Sequence, residues 1–228
     1  MIITIDGASG TGKSTVARRL AEKIGFVYFD TGAMYRAFTW FVIEHHVDVN
    51  DAHAIDQLLS QFQFNIAEEN GKKRYHVNGT DVTEIIRTRL ITARVSEVSA
   101  LAKVRRSLLS VQHDFAQKQN VVFEGRDLGS VIFPQAEIKI FLNADPQVRA
   151  ERRLNEMVEK NPKEVENLNR EQLMQDMIAR DVYDSSREVA PLRCPEGAHT
   201  IDTTHLTIDQ VVDQIAAYAH QRYPGKFK

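Results

Sequence analysis

Residues 7–14 read Gly-Ala-Ser-Gly-Thr-Gly-Lys-Ser, between the apolar run Ile2-Ile3-Thr4-Ile5 and a segment of helical periodicity. A chain built this way must place a strand, a tight glycine turn and a helix N-terminus in immediate succession. The three glycines let several backbone N–H groups converge on phosphate oxygens where the helix dipole is positive. Lys13 then reaches β- and γ-phosphates, and the Ser14 hydroxyl is placed to ligate Mg²⁺. Val16, Ala17, Leu20, Ala21 and Ile24 share one helical face and Gly25 follows as a terminator, which is the context the motif requires. The segment Gly7, Ala8, Ser9, Gly10, Thr11, Gly12, Lys13, Ser14 and Thr15 is therefore expected to cradle a nucleoside triphosphate.

The rest of the composition narrows the class. With 228 residues, the chain fits one domain with an insertion, and 43% hydrophobic with 26% charged residues is ordinary for a globular protein. No run approaches the roughly 20 apolar residues of a membrane span. The first apolar run stops in the phosphate loop, so no secretory leader and no membrane partner are expected. Cys194 stands alone, which excludes an intramolecular disulfide and fits a reducing cytoplasm. A net charge of −2 argues against a general nucleic-acid binder.

Short apolar runs recur at Ile2 to Ile5, Phe26 to Phe29, Val121 to Phe123, Ile138 to Leu142 and His199 to Asp202, with helical patterns between them. That rhythm predicts a parallel sheet covered by helices on both faces. One stretch departs from it. Phe62, Phe64 and Ile66 alternate with polar residues, Asn70-Gly71 offers a turn, Tyr75 and Val77 alternate again, and Asn78-Gly79 offers a second turn before Val82. A small antiparallel insert over about residues 60–85 is expected. A long helix or helix pair follows from about Thr88 to Lys118, with Leu101, Val104, Leu108, Val111 and Phe115 as its apolar stripe. The charged segment around residues 148–182, interrupted by Asn161-Pro162, reads as a solvated helical lid. The last helix opens on a capping box, Thr207 with Gln210, and buries Ile208, Val211, Val212 and Ile215.

A phosphate loop alone does not define the reaction. The chain has no [NT]-K-x-D stretch to read guanine and is short for an oligomeric ATPase. It carries instead arginines beside small polar residues at element ends: Asp30 to Arg36, Glu124-Gly125-Arg126-Asp127, and Arg180-Asp181-x-x-Asp184-x-x-Arg187. In an α/β sheet the strand C-termini line the ligand crevice, so these groups are expected to face the phosphate loop. Several guanidinium groups there suit two phosphorylated ligands whose repulsion must be neutralised for in-line transfer.

At these motifs the chain resembles bacterial cytidylate kinases, a family of P-loop nucleoside monophosphate kinases. The resemblance runs from I-D-G-x-S-G-x-G-K-S through D-T-G-A-M-Y-R, the V-x-R-R stretch at Arg105, G-R-D at Gly125 to Asp127, K-I-F-L at Lys139 to Leu142, and R-D-x-x-D-x-x-R-x-x-A-P-L ending at Leu192. Shikimate and gluconate kinases share the first loop but not the others. The resemblance implies a single P-loop kinase domain over residues 1–228, with a five-stranded parallel sheet, the antiparallel insert and the helical lid. It also implies reversible transfer of the ATP γ-phosphoryl to CMP or dCMP with Mg²⁺, by a cytoplasmic monomer of pyrimidine nucleotide metabolism.

Residue roles follow from the same resemblance. Tyr35, Arg36, Arg126 and Arg187 match positions that hold the acceptor's 5′-phosphate, and Thr31, Ser96, Arg105 and Asp127 match positions around cytosine. Arg180 and Asp184 match positions at the sugar, and Arg152 and Arg153 lie on the lid where related kinases bring arginines over the transferring phosphate. Lys13, Arg126, Arg187, Arg152 and Arg153 are thus the expected catalytic set, with Ser14 on the metal. Apart from the family register, Arg126-Asp127 reads more readily as a surface ion pair than as a ligand site, Arg105 reads equally as a solvated neighbour of Arg106, and Ser96 carries no local signal. Glu124 stands where many relatives have Asp, and Tyr183 and Ser186 where Arg or Asp is frequent. Two other readings remain: a kinase for UMP or another small acceptor, and a nucleotide-switch ATPase that hydrolyses without an acceptor.

Overall fold

The computed structural model describes residues 1–69, 72–160 and 169–227. Strands β1 (Ile2–Gly7), β2 (Val27–Asp30), β6 (Val121–Gly125), β7 (Ile138–Asn143) and β8 (His199–Asp202) form a five-stranded parallel sheet in the order β2-β6-β1-β7-β8. These are the five apolar runs of the sequence. β1 is central: Ile3 lies opposite Val122 on one side and Ile138 on the other, and Gly7 opposite Leu142. Helices α1 (Lys13–Ile24) and α8 (Ile208–Arg222) bury one face of the sheet through Val16, Leu20, Ile24, Val211 and Ile215. Thr207 and Gln210 cap α8 reciprocally, at 2.9 and 3.2 Å, so the predicted capping box is present. Phe29, Phe123 and Phe133 form a run of tilted aromatic rings, with ring centroids 5.3 and 4.6 Å apart. Filling a core with such side chains contributes roughly 1.5–3 kcal/mol apiece.

The chain divides into two compact units, Met1–Phe29 with Ala116–Lys228, and Asp30–Phe115. The larger holds the parallel sheet, α1, α8 and two helices that are exposed or half-buried along most of their length, α6 (Pro146–Lys160) and α7 (Arg170–Ser186), where the sequence predicts the lid. The Asn161-Pro162 interruption lies outside the described residues.

The smaller unit starts with α2 (Thr31–Glu44), capped by Asp30, whose carboxylate accepts from the Ala33 N–H at 2.7 Å. After α3 (Ala52–Gln61) come β3 (Phe64–Glu69), β4 (Lys72–Val77) and β5 (Thr80–Asp81), an antiparallel sheet in the order β3-β4-β5. Asn78 and Gly79 both have positive φ, 49° and 84°, the pairing that a two-residue hairpin turn demands. The Asn70-Gly71 turn lies outside the described residues. A helix pair closes the unit, α4 (Arg89–Ala100) and α5 (Ala102–Gln117), broken at Leu101, whose extended ψ of 119° cannot continue a helix. Of the predicted stripe, Val104 and Leu108 are fully buried.

Candidate active site

The phosphate loop owes its shape to what cannot be tolerated there. A Cβ on Gly7 would lie 2.1 Å from the Leu142 carbonyl oxygen, and one on Gly10 would lie 2.7 Å from the Arg149 carbonyl oxygen. Glycine alone lets the loop run this close to β7 and to α6. Within the loop the Ala8 carbonyl accepts from Lys13 Nζ at 2.6 Å and from Thr11 Oγ1 at 3.0 Å. Helix α1 begins behind Gly12 with neither a side-chain cap nor an acidic residue in its first turn, so its N-terminal N–H groups and dipole are left for an anion. Burial pushes Lys13 down to about 8, with the Arg126 charge acting the same way and Glu124, Asp6 and Asp181 opposing it.

Behind the loop, Asp6 is fully buried and its two carboxylate oxygens accept from the Leu128 and Gly129 N–H groups at 2.9 and 2.8 Å. Burial pushes its pKa up to about 7, partly offset by those two bonds. Ser14 Oγ donates to Glu124 Oε1 at 2.7 Å, and Tyr28 Oη reaches the same oxygen at 3.4 Å. The longer Glu side chain thus spans from the end of β6 to the residue expected at the metal.

Asp184, 1% exposed, is the centre of a second arrangement in this unit. Arg126 Nε lies 2.5 Å from its Oδ2, Arg180 Nε 3.9 Å from the same oxygen, and Arg187 Nη2 pairs with Oδ1. Residues separated by nearly sixty positions in sequence therefore meet on one carboxylate, and the neighbouring Asp127 is also buried. Arg187 lies over the Tyr183 ring at 5.4 Å, so the departure at position 183 gives this arginine an aromatic neighbour.

The two lid arginines are held differently. Arg152 forks onto Thr203, Nη1 to Oγ1 at 3.0 Å and Nη2 to the carbonyl at 2.6 Å, while Arg153 pairs with Glu156 on its own helix at 2.8 Å. Sequence reasoning passed over Arg149, Thr203 and Asp6. Arg149 is indistinguishable in sequence from its neighbours Arg152 and Arg153, and only its 7% exposure separates it from a solvated charge.

In the smaller unit, Thr31 opens α2 and is buried, and Arg36 pairs with Asp30 at 3.1 Å. Arg105 is 6% exposed; it donates to the Ser99 carbonyl at 3.0 Å and lies over the Tyr35 ring at 5.4 Å. Arg105 is thus a buried, stacked guanidinium and not a solvated partner of Arg106. Ser96 is half-buried on α4 and its carbonyl accepts from Ser99 Oγ at 3.2 Å. His45, with its ring 4.2 Å from Phe41 and Nδ1 2.9 Å from the Phe41 carbonyl, is a packing residue.

A glycine loop that leaves a central parallel strand and enters a helix opening on a buried lysine, with a cluster of arginines in the same unit, defines a P-loop phosphotransferase. The cytidylate kinase family profile matches residues 3–221. A cytidylate kinase of Protochlamydia amoebophila is 47% identical, over 96% of this chain and 96% of its own. Those of Halalkalibacterium halodurans and Bacillus subtilis are 44% and 42% identical, each aligned over at least 96% of both chains. The chain belongs to the cytidylate kinase family.

Proposed function

We propose that this protein transfers the γ-phosphoryl of ATP to CMP or dCMP, giving CDP or dCDP and ADP, by direct in-line displacement. The observation that carries the reading is the gathering of Arg126, Arg180 and Arg187 on the buried Asp184 in the unit that holds the phosphate loop. A nucleotide switch has no need of such a cluster; a kinase must hold a second phosphate against the repulsion of the first. Residues 7–15 take the donor phosphates, with Lys13 on the β/γ oxygens. The acceptor's 5′-phosphate is assigned to Tyr35, Arg36, Arg126 and Arg187, its sugar to Arg180 and Asp184.

Cytosine is assigned to Thr31, Ser96, Arg105 and Asp127. A hydroxyl and a carboxylate accept from the 4-amino group and a guanidinium donates to N3 or O2, whereas the 4-carbonyl of uracil meets acceptors. Leaving that carbonyl unpaired costs about 1–3 kcal/mol, so UMP is a slow substrate. Ser14 Oγ and the Glu124 carboxylate are hard oxygen donors 2.7 Å apart, which suits Mg²⁺ held mainly through phosphate oxygens and water. When bound there, the ion neutralises charge on the β- and γ-phosphates. Arg152 and Arg153 are assigned to the transferring group on lid closure, which requires Arg152 to leave Thr203 and Arg153 to leave Glu156. The two units act as one kinase domain over residues 1–228, with the insert near 60–85 and the lid near 148–182, in a cytoplasmic monomer.

The test is ADP release from Mg-ATP with CMP, dCMP, UMP, AMP or GMP, beside a control without acceptor. Turnover confined largely to CMP and dCMP is expected. Equal ADP release without any acceptor would replace the kinase reading with the switch ATPase.

A further inference from the structure

Arg149 is 7% exposed on α6, a helix whose other described charged residues are half-buried or exposed. Burying a guanidinium is costly unless its donors are used. Here they are: Nε donates to the Ala144 carbonyl at 3.2 Å, and Nη1 to the Ser9 carbonyl at 3.1 Å and to Asp181 Oδ2 at 2.5 Å. One side chain of α6 thus joins the phosphate loop to α7. Contact at the next residue is equally close, since a Cβ on Gly10 would meet the Arg149 carbonyl at 2.7 Å and Met177 Cε at 3.0 Å. One residue further on, the Thr203 hydroxyl donates to the Thr11 carbonyl at 3.2 Å.

The Ser9 carbonyl matters because a peptide unit is planar and trans. Its C=O and the following N–H point in opposite directions, so an anchor on Ser9 O sets the direction of the Gly10 N–H. Anion binding by such a loop depends on those N–H directions. We infer that Arg149 is a positioning residue for the donor phosphates: held by Asp181, it fixes the Ser9 carbonyl and thereby aims the Gly10 N–H, tying the loop's geometry to α6 and α7. This rests on the reading that residues 7–15 bind ATP phosphates.

Calorimetric titration of Mg-ATP and, separately, of CMP into wild type, Arg149→Met, Arg149→Lys, Asp181→Asn and the double variant R149M/D181N tests it, at a pH near 6.5 where Lys13 is protonated. The expected result is a roughly tenfold rise in the Mg-ATP Kd for R149M. A smaller rise is expected for D181N, no further rise in the double variant, partial rescue by Lys, and an unchanged CMP Kd. D181N is the decisive variant. If Arg149 served ATP by direct contact, or if Asp181 mattered only as a repelling charge, removing that carboxylate would leave Mg-ATP affinity unchanged or tighten it. Either result overturns the inference, as does an R149M protein that binds Mg-ATP like wild type or loses CMP and ATP affinity equally. Wild type that fails to bind Mg-ATP would overturn the donor-site reading as well, and so separates the two failures.

Discussion

The phosphate loop and the Asp184 cluster both concentrate positive potential within the larger unit, yet one is shaped by backbone and the other by charge. In the loop, glycines without room for a Cβ set the path, and an internal bond from Lys13 to the Ala8 carbonyl completes it. In the cluster, a single carboxylate holds three guanidinium groups drawn from the end of β6 and from around the C-terminal turn of α7. Asp6 links the two. It immediately precedes Gly7, and through Leu128 and Gly129 it fixes the turn that follows Arg126 and Asp127. A backbone path of this kind tolerates almost no substitution, whereas a charge-built site tolerates shape changes and fails when a counter-charge is lost.

That contrast is broken most severely at Gly7. Gly7→Ala, with its Cβ against Leu142 O at 2.1 Å, should cost about 4 kcal/mol or more and leave little soluble protein, measured by urea unfolding of whatever folds. Asp6 probes the link. Its pKa, raised from 3.8 to about 7, means that the folded chain keeps a proton which the unfolded chain has released between those values. The contribution is complete below pH 4 and is lost as pH rises through 7, by about 4 kcal/mol in all. Subtracting the pH profile of Asp6→Asn from that of wild type should reveal this slope; parallel profiles would remove Asp6 as the link.

Asp184→Asn sharpens the charge-built half. It strands three partly buried arginines, but Arg126 and Arg180 retain 22% and 25% side-chain exposure, so solvent reduces the loss to about 2–3 kcal/mol. Adding Arg187→Met to that variant should recover part of the melting temperature. Lys13 gives a smaller effect on binding. With its pKa down to about 8, nucleotide binding must take up a proton above that pH, so Mg-ATP affinity should weaken by up to about tenfold per pH unit there. Titrations at pH 7, 8 and 9 read it directly. At the lower end, Asp209→Asn removes the partner of Arg19, but with side chains 45% and 77% exposed it should change stability by less than about 1 kcal/mol. That surface pair calibrates how much of the Asp184 effect is due to burial.

Contiguous signals in the sequence were the legible ones. The phosphate loop, the five apolar runs, the Asn78-Gly79 turn and the Thr207 capping box each depend on residues within a few positions of one another. Arg126, Asp184 and Arg187 were legible as crevice candidates at element ends, but their meeting was not, because local spacing says nothing about which carboxylate a distant arginine meets. Arg149 and Asp6 were missed as site residues for the same reason. Their roles are hydrogen bonds to Ser9 across 140 positions and to Leu128 across 122. The helix break at Leu101 was undecided between one helix and two, since an apolar residue in the stripe gives no stop signal.

The amino-acid sequence by itself determined that this chain forms a strand, a glycine loop and a helix in immediate succession, within a parallel α/β sheet interrupted by an antiparallel insert. Those features arise from short-range sterics and from periodicity, which act along the chain. Only the tertiary structure decided that Asp184 gathers the arginines, that Asp6 is buried enough to hold its proton near neutral pH, and that Arg149 belongs to the phosphate loop rather than to solvent. Burial and charge pairing depend on which distant segments meet, and a charged residue shows its partner only when the chain has folded around it.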